Sequence, residues 1–563
     1  MARPLSQSDG GVLLTDAKAA VASAVLRWNH RLGTAAGDRR GSLVSLLIRM
    51  DVIAAYTLSP WHILLLAILL AGCSFALQGH QGVNLGDEGY LWYGVQRTFA
   101  GEVPLRDFQS YDPGRYYWSA AGTFLFGDGL VALRLSETVF QVLGLWAGLL
   151  VASRVEGDFV QLTAVGLILT LWMFPSHKLF DHTLLLCGIL IAVQMIEEPS
   201  PARIFIAGFF VGLCVFFGRN HALYNFVAQA SLLLFLHFKL RPLLSMSHLG
   251  IWVGGIMAGF VPTIAMFVGV PGFFARYIES IEWIFRHGTN AALPIPWPWR
   301  FWPNSAARRT QFLVGIFLIA LPLGYLGAIT VSLFIPSQTI KNHAVFIACA
   351  FLGLFYLHHA FSRADSSHLA QVIHPFTLIA LASLGFLGAG KSYHWAVIAV
   401  LIAAALFTIG GQLPIYQRIT SPTPWVHWAD NKIFVPPNLN RLLTFLQKFG
   451  AENIAPHEGI LIAPFIPILY PILKHESPLW DLCYYFPATA QRQEAMIHKL
   501  AAKNVNWAII SDTPLDKRED LRFSATHEVI WQYLMENFEL VESACVPRSM
   551  KIFHRKRPGL IPN

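Results

Sequence analysis

Charge is scarce in this chain of 563 residues: Asp, Glu, Lys and Arg make up 13% of it, about half of the ~25% usual in a soluble domain. With 55% hydrophobic residues and a mean hydropathy of +0.49, that shortage excludes a disordered chain and an ordinary cytosolic enzyme. Cysteine is scarce as well, at six residues. There is no C-x-x-C pair, so nothing suggests a zinc knuckle or a dithiol redox centre. Cys73, Cys187, Cys214 and Cys349 stand in apolar runs and read as small buried hydrophobes. Neither G-x-G-x-x-G nor a Walker A loop opens a helix, so the common nucleotide cradles are missing. No internal repeat of about 20–50 residues is present. The first 58 residues hold no long apolar run, and no cleavable signal peptide is expected there.

Long apolar runs are what the chain has in abundance. The first is 59–78. At about 1.5 Å per helical residue, a run of that length covers the ~30 Å hydrocarbon core of a bilayer. Ten more lie near 129–152, 158–174, 179–196, 203–217, 221–238, 247–270, 311–334, 342–357, 368–388 and 392–412. The expected fold is therefore an α-helical polytopic membrane protein with about eleven transmembrane helices over 59–412. Lys and Arg outnumber Asp and Glu by 41 to 33, a net charge of +8. In such a protein the excess belongs to loops facing an anionic cytoplasmic leaflet, and nucleic acid is not an expected partner. Arg27, Arg31, Arg39, Arg40 and Arg49, followed by Arg154, Arg203, Lys239, Arg241, Lys341 and Lys391 on alternate loops, put residues 1–58 in the cytoplasm. Within them, 43–56 reads as an amphipathic surface helix. The first loop, 79–128, and everything after 413 then fall outside a plasma membrane, the inner membrane of a bacterium. The segment 271–310 joins them there, its Trp283, Trp297, Trp299 and Trp302 reading as an interfacial belt.

From 413 the composition changes. Helix-like 438–449, strand-like 459–463, helix-like 487–503, strand-like 505–511, helix-like 524–537 and strand-like 539–544 and 549–555 predict a small α/β domain over 413–563. Cys483 and Cys545 are its only cysteines, and an oxidising outer compartment would favour a disulfide between them.

The chemistry is expected in residues 84–118, NLGDEGYLWYGVQRTFAGEVPLRDFQSYDPGRYYW. Asp87 and Glu88 follow the first span closely, and carboxylates beside hydrocarbon are costly enough to be functional candidates. Gly86 and Gly89 flank them and permit close approach of another molecule. A solvated loop acid is the bland alternative for either one. Ionisable residues also gather at the outer ends of other spans: His177, Lys178, Asp181 and His182; Arg219, Asn220 and His221; His358, His359, Arg363, Asp365 and His368. Acids, imidazoles and guanidinium groups on one face suggest a shared pocket in which a carboxylate base stands beside cations that hold an anionic leaving group. A catalytic metal is the competing reading. It is not favoured, because His358, His359 and His368 lack the i, i+4 spacing of a helical ligand pair and H-E-x-x-H is absent.

The acidic pair after the first span, followed by G-x-V-P-x-R-D-F-x-x-Y-x-P-G-x-Y-Y at 101–117, resembles the GT-C membrane glycosyltransferases, nearest the protein mannosyltransferases and the lipid A aminoarabinose transferase. The likeness in plan covers 59–563. In residues it covers about 84–135, with weaker blocks FFGRNHALY and SRADSSHL. It implies transfer of a sugar from a polyprenyl-phosphate donor to an acceptor hydroxyl on a lipid, glycan or protein, with inversion and no resident cofactor. Asp87 matches the proposed catalytic base, Glu88 the second acid, and Asp107 the R-D-F segment. Lys178, Arg219 and Arg363 would hold the donor phosphate. Tyr90, Trp92 and Tyr93 could stack on a sugar or prenyl chain, with an interfacial anchoring role as the alternative. His177, His221, His358, Asp365 and His368 would complete the substrate pocket. Two other classes stay open: a secondary transporter, whose site would lie nearer the bilayer midplane between repeated halves, and a non-catalytic membrane assembly protein.

Overall fold

The computed structural model describes residues 58–240, 246–287, 291–428 and 432–556. The expected cytoplasmic segment, apart from its last residue, and its surface helix at 43–56 lie outside the described residues. All eleven apolar runs are helical. In chain order the longer helices are α1 (Pro60–Gln78), α2 (Asp87–Phe99), α3 (Pro113–Phe126), α4 (Leu130–Ala152), α5 (Phe159–Trp172), α6 (Leu179–Glu197), α7 (Pro201–Phe217), α8 (Arg219–Lys239), α9 (Met246–Gly259), α10 (Val261–Gly269), α11 (Phe273–His287), α12 (Ala306–Phe334), α13 (Ala344–Ser362), α14 (His374–Phe386) and α15 (Lys391–Ile409). Six of them are long and apolar enough to cross a membrane, and α9 with α10, bent by 46°, makes a seventh. The shorter α5, α7 and α14 are apolar too.

Local chemistry explains several boundaries. Pro60, Pro113 and Pro201 open their helices in the first turn, where the missing N–H has no intrahelical partner to lose. Ser200, Ser305 and Asp365 cap with side-chain oxygens that accept from Arg203, Arg308 and His368 backbone N–H groups. Between α7 and α9 the packing is set by glycine. Gly208 and Gly212 on one helix and Gly255 and Gly259 on the other lie against the partner's backbone, leaving no room for a Cβ. Small residues four apart are how apolar helices come into close contact without a hydrophobic driving force.

The later part holds α16 (Pro437–Asn453), α17 (Ala490–Ala502) and α18 (Glu528–Asn537) around a four-stranded sheet. Strands β3 (Gly459–Ala463), β4 (Val505–Ser511), β5 (Phe538–Val541) and β6 (Met550–Arg555) run in the order β3-β4-β6-β5. β3 and β4 are parallel, with α17 in the crossover, and the other pairs are antiparallel. Ile462 faces Ile509, which faces Ile552, so apolar side chains form continuous rows. A hairpin of β1 (Val426–Trp428) and β2 (Ile433–Val435) precedes the sheet. The sequence did not announce it, because three residues per strand are too few to show a period. Phe434 of β2 exchanges backbone hydrogen bonds with His80 and Gly82, just beyond α1.

This sheet region and the helices form one compact unit from Leu58 to Gly157 and from Gln161 onward. A single apolar cluster contains Tyr90, Leu91, Trp92, Tyr93 and Val95 of α2 together with Ile460, Ile462, Ile468, Leu469 and Tyr470. The helix carrying the acidic pair is thus a core element of the sheet domain. The expected disulfide is absent. Cys483 and Cys545 are both free thiols: Cys483 is held at the first loop, its N–H donating to Gln109, while Cys545 lies in an exposed turn beside α16. Burial pushes the Cys483 thiol up to about 12.

Candidate functional site

Asp87 is the first residue of α2. Asn84 Oδ1 accepts from the Gly86 and Asp87 backbone N–H groups, both at 3.0 Å. That turn sets the start of the helix and leaves the carboxylate at its positive end. The glycines flanking the pair permit close approach, as the sequence suggested, and the approaching molecule is the chain itself. A Cβ on Gly89 would sit 2.5 Å from Ile468, and one on Gly86 would sit 2.8 Å from the Phe465 ring.

Three groups face the Asp87 carboxylate. The Tyr111 hydroxyl donates to Oδ1 at 3.2 Å, Lys178 Nζ stands 4.0 Å from Oδ1, and His177 Nε2 stands 3.8 Å from Oδ2. Lys178 also donates to the Tyr111 hydroxyl at 2.9 Å. The chain ammonium–phenol–carboxylate is therefore continuous. Protein surrounds the carboxylate, yet 40% of its side chain remains exposed. Burial pushes the Asp87 carboxyl up, but Lys178, then His177, Tyr111 and His368, outweigh it and hold it below the usual carboxylate value. Burial and then Asp87 push the Tyr111 phenol well up, so it remains a donor.

Glu88 points the other way. Arg134 of α4 grips it bidentately at 2.6 and 2.9 Å and uses its other N–H groups on the Gly79, Gln81 and Gly82 carbonyls. Both side chains are buried. Of the roles open to Glu88, holding a basic neighbour is the one with a visible partner, and the pair fastens the end of α1 to α2 and α4. One turn further along α4, Glu137 is fully buried with no hydrogen-bond partner for either carboxylate oxygen.

Behind Tyr111 lies a second buried network. Arg115 pairs with Asp181 at 2.6 Å and donates to the Phe217 carbonyl, and His221 meets the same Asp181 oxygen at 2.6 Å. His221 continues to Tyr356, so α3, α6, α8 and α13 converge at one end of the bundle.

The remaining expected residues are more dispersed. Arg219 is paired with Asp112 at 2.5 Å, donates to Ser280 and lies over the Tyr277 ring. Arg363 is held by Asp365, the Ala291 carbonyl and, through two bonds at 2.7 and 2.9 Å, Asp516. Both guanidinium groups are thus engaged by carboxylates, and of the three expected phosphate ligands only Lys178 stands at Asp87. Tyr90 and Tyr93 are core residues rather than pocket walls. Tyr90 packs on Tyr111 and Phe465, and Tyr93 packs on Tyr470 while its hydroxyl accepts from the Ser477 N–H. Asp107 ties its own loop together through Arg106 and the Val103 N–H. His358 meets the Tyr224 hydroxyl, and Asp365 both caps and hydrogen-bonds His368. Among the described residues no three His, Cys, Asp or Glu side chains are grouped so as to hold a metal ion. The sequence reading missed Tyr111, Arg115 and Arg134 as site residues. Tyr111 and Arg115 stood inside the quoted loop, and Arg134, a charge within an apolar run, carried its own signal.

The chain thus combines a helical membrane domain, a carboxylate on a short helix after the first span, and a later sheet domain. Among solved structures the chain is similar to ArnT from Cupriavidus metallidurans bound to undecaprenyl phosphate, with 15% identity, a TM-score of 0.51, and coverage of 87% of this chain and 97% of that one. The apo state of the same ArnT aligns over 87% and 96% of the two chains at 13% identity, with a TM-score of 0.47. At such identity it is the fold that is shared. No protein-family model matches the sequence, and no curated protein matches it.

Proposed function

We propose that this protein is a glycosyltransferase that moves a sugar from a polyprenyl-phosphate donor in the membrane to an acceptor hydroxyl at the Asp87 end of the helices, which the Lys and Arg distribution puts outside. The observation carrying this reading is the open Asp87 carboxylate, with Tyr111, His177 and Lys178 around it, on a GT-C fold. The crystal structure of ArnT with undecaprenyl phosphate supports a lipid-phosphate donor.

In the proposed step the acceptor oxygen attacks the anomeric carbon while the bond from that carbon to the phosphate oxygen breaks. The bonding pair leaves with the polyprenyl phosphate, the acceptor proton passes to Asp87, and the centre inverts. The transition state has oxocarbenium character. An acceptor hydroxyl becomes strongly acidic only as its new bond to that carbon forms, so a carboxylate held below its usual pKa is still an adequate base. Lys178 supplies positive charge for the departing phosphate, which gains negative charge as the bond breaks. The reading assigns no resident cofactor.

Mass spectrometry of glycolipids and surface glycans tests it in cells carrying the wild-type gene, no gene, or Asp87→Asn. We expect the same glycan to be missing from the last two and its polyprenyl-phosphate sugar to accumulate. In purified protein, Asp87→Asn should lower turnover by roughly 10²–10⁴, the usual worth of a general base, with donor binding kept. A folded Asp87→Asn protein transferring sugar at the wild-type rate would remove Asp87 from the chemistry.

A further inference from the structure

A cavity of about 310 Å³ lies beside the acidic helix, between the end of α1, the start of α4, the turn at 173–179 and residues 412–439. That volume is within the ~300–1,000 Å³ of small-molecule sites. His177 joins it to the proposed reaction centre, because the residue both lines the cavity and approaches Asp87 Oδ2 at 3.8 Å.

The lining has an unusual chemistry. Six carboxamides contribute to it: Gln78, Gln81, Asn84, Gln141, Gln412 and Gln417. A carboxamide both donates and accepts, which is the pattern a hydroxyl requires of its partner. Phe75 and Trp425 add aromatic surface, suited to the C–H face of a pyranose ring. Formal charge is almost cancelled: Glu88 and Arg134 line the cavity, but they pair with each other, and the guanidinium's remaining N–H groups go to backbone carbonyls. Among the described lining residues the one other titratable side chain is His177, which faces Asp87, so no unpaired cation or acid is left there for a charged ligand. One buried carboxamide is also under-used: Gln141 Nε2 donates only to the Met173 thioether at 3.5 Å. A buried donor left so is costly in a native protein, and a ligand hydroxyl would satisfy it.

We propose that this cavity binds an uncharged sugar ring, so that one of the two partners in the reaction presents a neutral polyhydroxylated pyranose beside Asp87. The inference rests on the glycosyl-transfer reading for the identity of the reaction, and on the cavity alone for the chemistry of the ligand. Two sources share that chemistry: the donor's sugar and a glycan acceptor.

The test is saturation-transfer NMR on the full chain in lipid nanodiscs free of sugar detergents. The probes are methyl glycosides of glucose, galactose, mannose and N-acetylglucosamine, with glucuronate and glucosamine as charged comparators. At least one neutral glycoside should bind, and the charged sugars should bind at least about tenfold more weakly. Gln141→Leu should weaken binding roughly three- to tenfold, as the loss of a neutral hydrogen bond would. Gln141→Met, closer in shape, guards against misfolding, and Asp87→Asn should still bind. Displacement of the glycoside by undecaprenyl-phosphate-hexose assigns the ring to the donor, and its failure to displace assigns the ring to the acceptor. No neutral binding to folded wild-type protein, a preference for a charged sugar, or affinity unchanged in both Gln141 variants overturns the proposal. Full activity of Asp87→Asn together with Gln-dependent sugar binding would instead sink the transfer mechanism and leave the cavity assignment standing.

Discussion

Asp87 is surrounded by groups that act on its charge in opposite directions. Burial favours the neutral acid, whereas Lys178, His177 and the Tyr111 hydroxyl favour the carboxylate and prevail. If Asp87 is the base, its ionised form must be present for turnover, so activity should persist well into acid. Lys178 is the largest of the lowering influences. Lys178→Met removes that positive charge, the carboxyl rises, and protonation begins at higher pH. The acid limb of the kcat/KM profile is therefore expected to move upward in Lys178→Met and, by less, in Tyr111→Phe. A profile unmoved in both would place the essential ionisation elsewhere. Asp87 was legible because its motif follows the first span directly. The partner of Glu88 was not, since Arg134 is 46 positions away on another helix, and one-dimensional spacing carries no record of that contact.

Among the elements, α2 serves two structures at once. Its aromatic residues complete the core of the sheet domain, while its acidic end is fastened to the membrane helices by Glu88 and Arg134. Removing one partner of a buried ion pair leaves an uncompensated charge, at about 3–5 kcal/mol. Arg134→Met should therefore destabilise the protein by that order in thermal unfolding, and Glu88→Met combined with Arg134→Met should recover much of the loss. Equal stability of the single and double variants would show that the pair does not act as a clamp. Most of these elements could be foreseen. Long apolar runs became helices, and the alternation after 413 became β3 to β6 with α16 to α18, because each is long enough to show its period. Tyr90 and Tyr93 were harder to place. An aromatic side chain packs in a core or lines a sugar site for the same apolar reason, and only the fold tells the two apart.

The whole molecule joins its parts across long stretches of sequence. Arg363, beyond α13, is bonded twice to Asp516 in the sheet domain, and β2 pairs with the backbone beyond α1. Orientation is checked most simply at Cys545, which is exposed and unpaired. The Lys and Arg pattern predicts that a membrane-impermeant maleimide labels it in intact spheroplasts and that Cys545→Ser abolishes the signal. Labelling only after permeabilisation would reverse the assignment of sides. The seating of Phe465 and Ile468 against Gly86 and Gly89 also has a consequence for biosynthesis. The acidic helix emerges early from the ribosome, but the surface that encloses it is translated almost four hundred residues later, judged from Gly89 and Ile468. A partly made chain can insert its first spans and still hold an uncovered acid. Enzymatic competence should then appear late and abruptly. Chains arrested before residue 459 are expected to be membrane-inserted yet inactive, with α2 open to protease, and supplying the missing part in trans is the measurement that tells enclosure from simple misfolding.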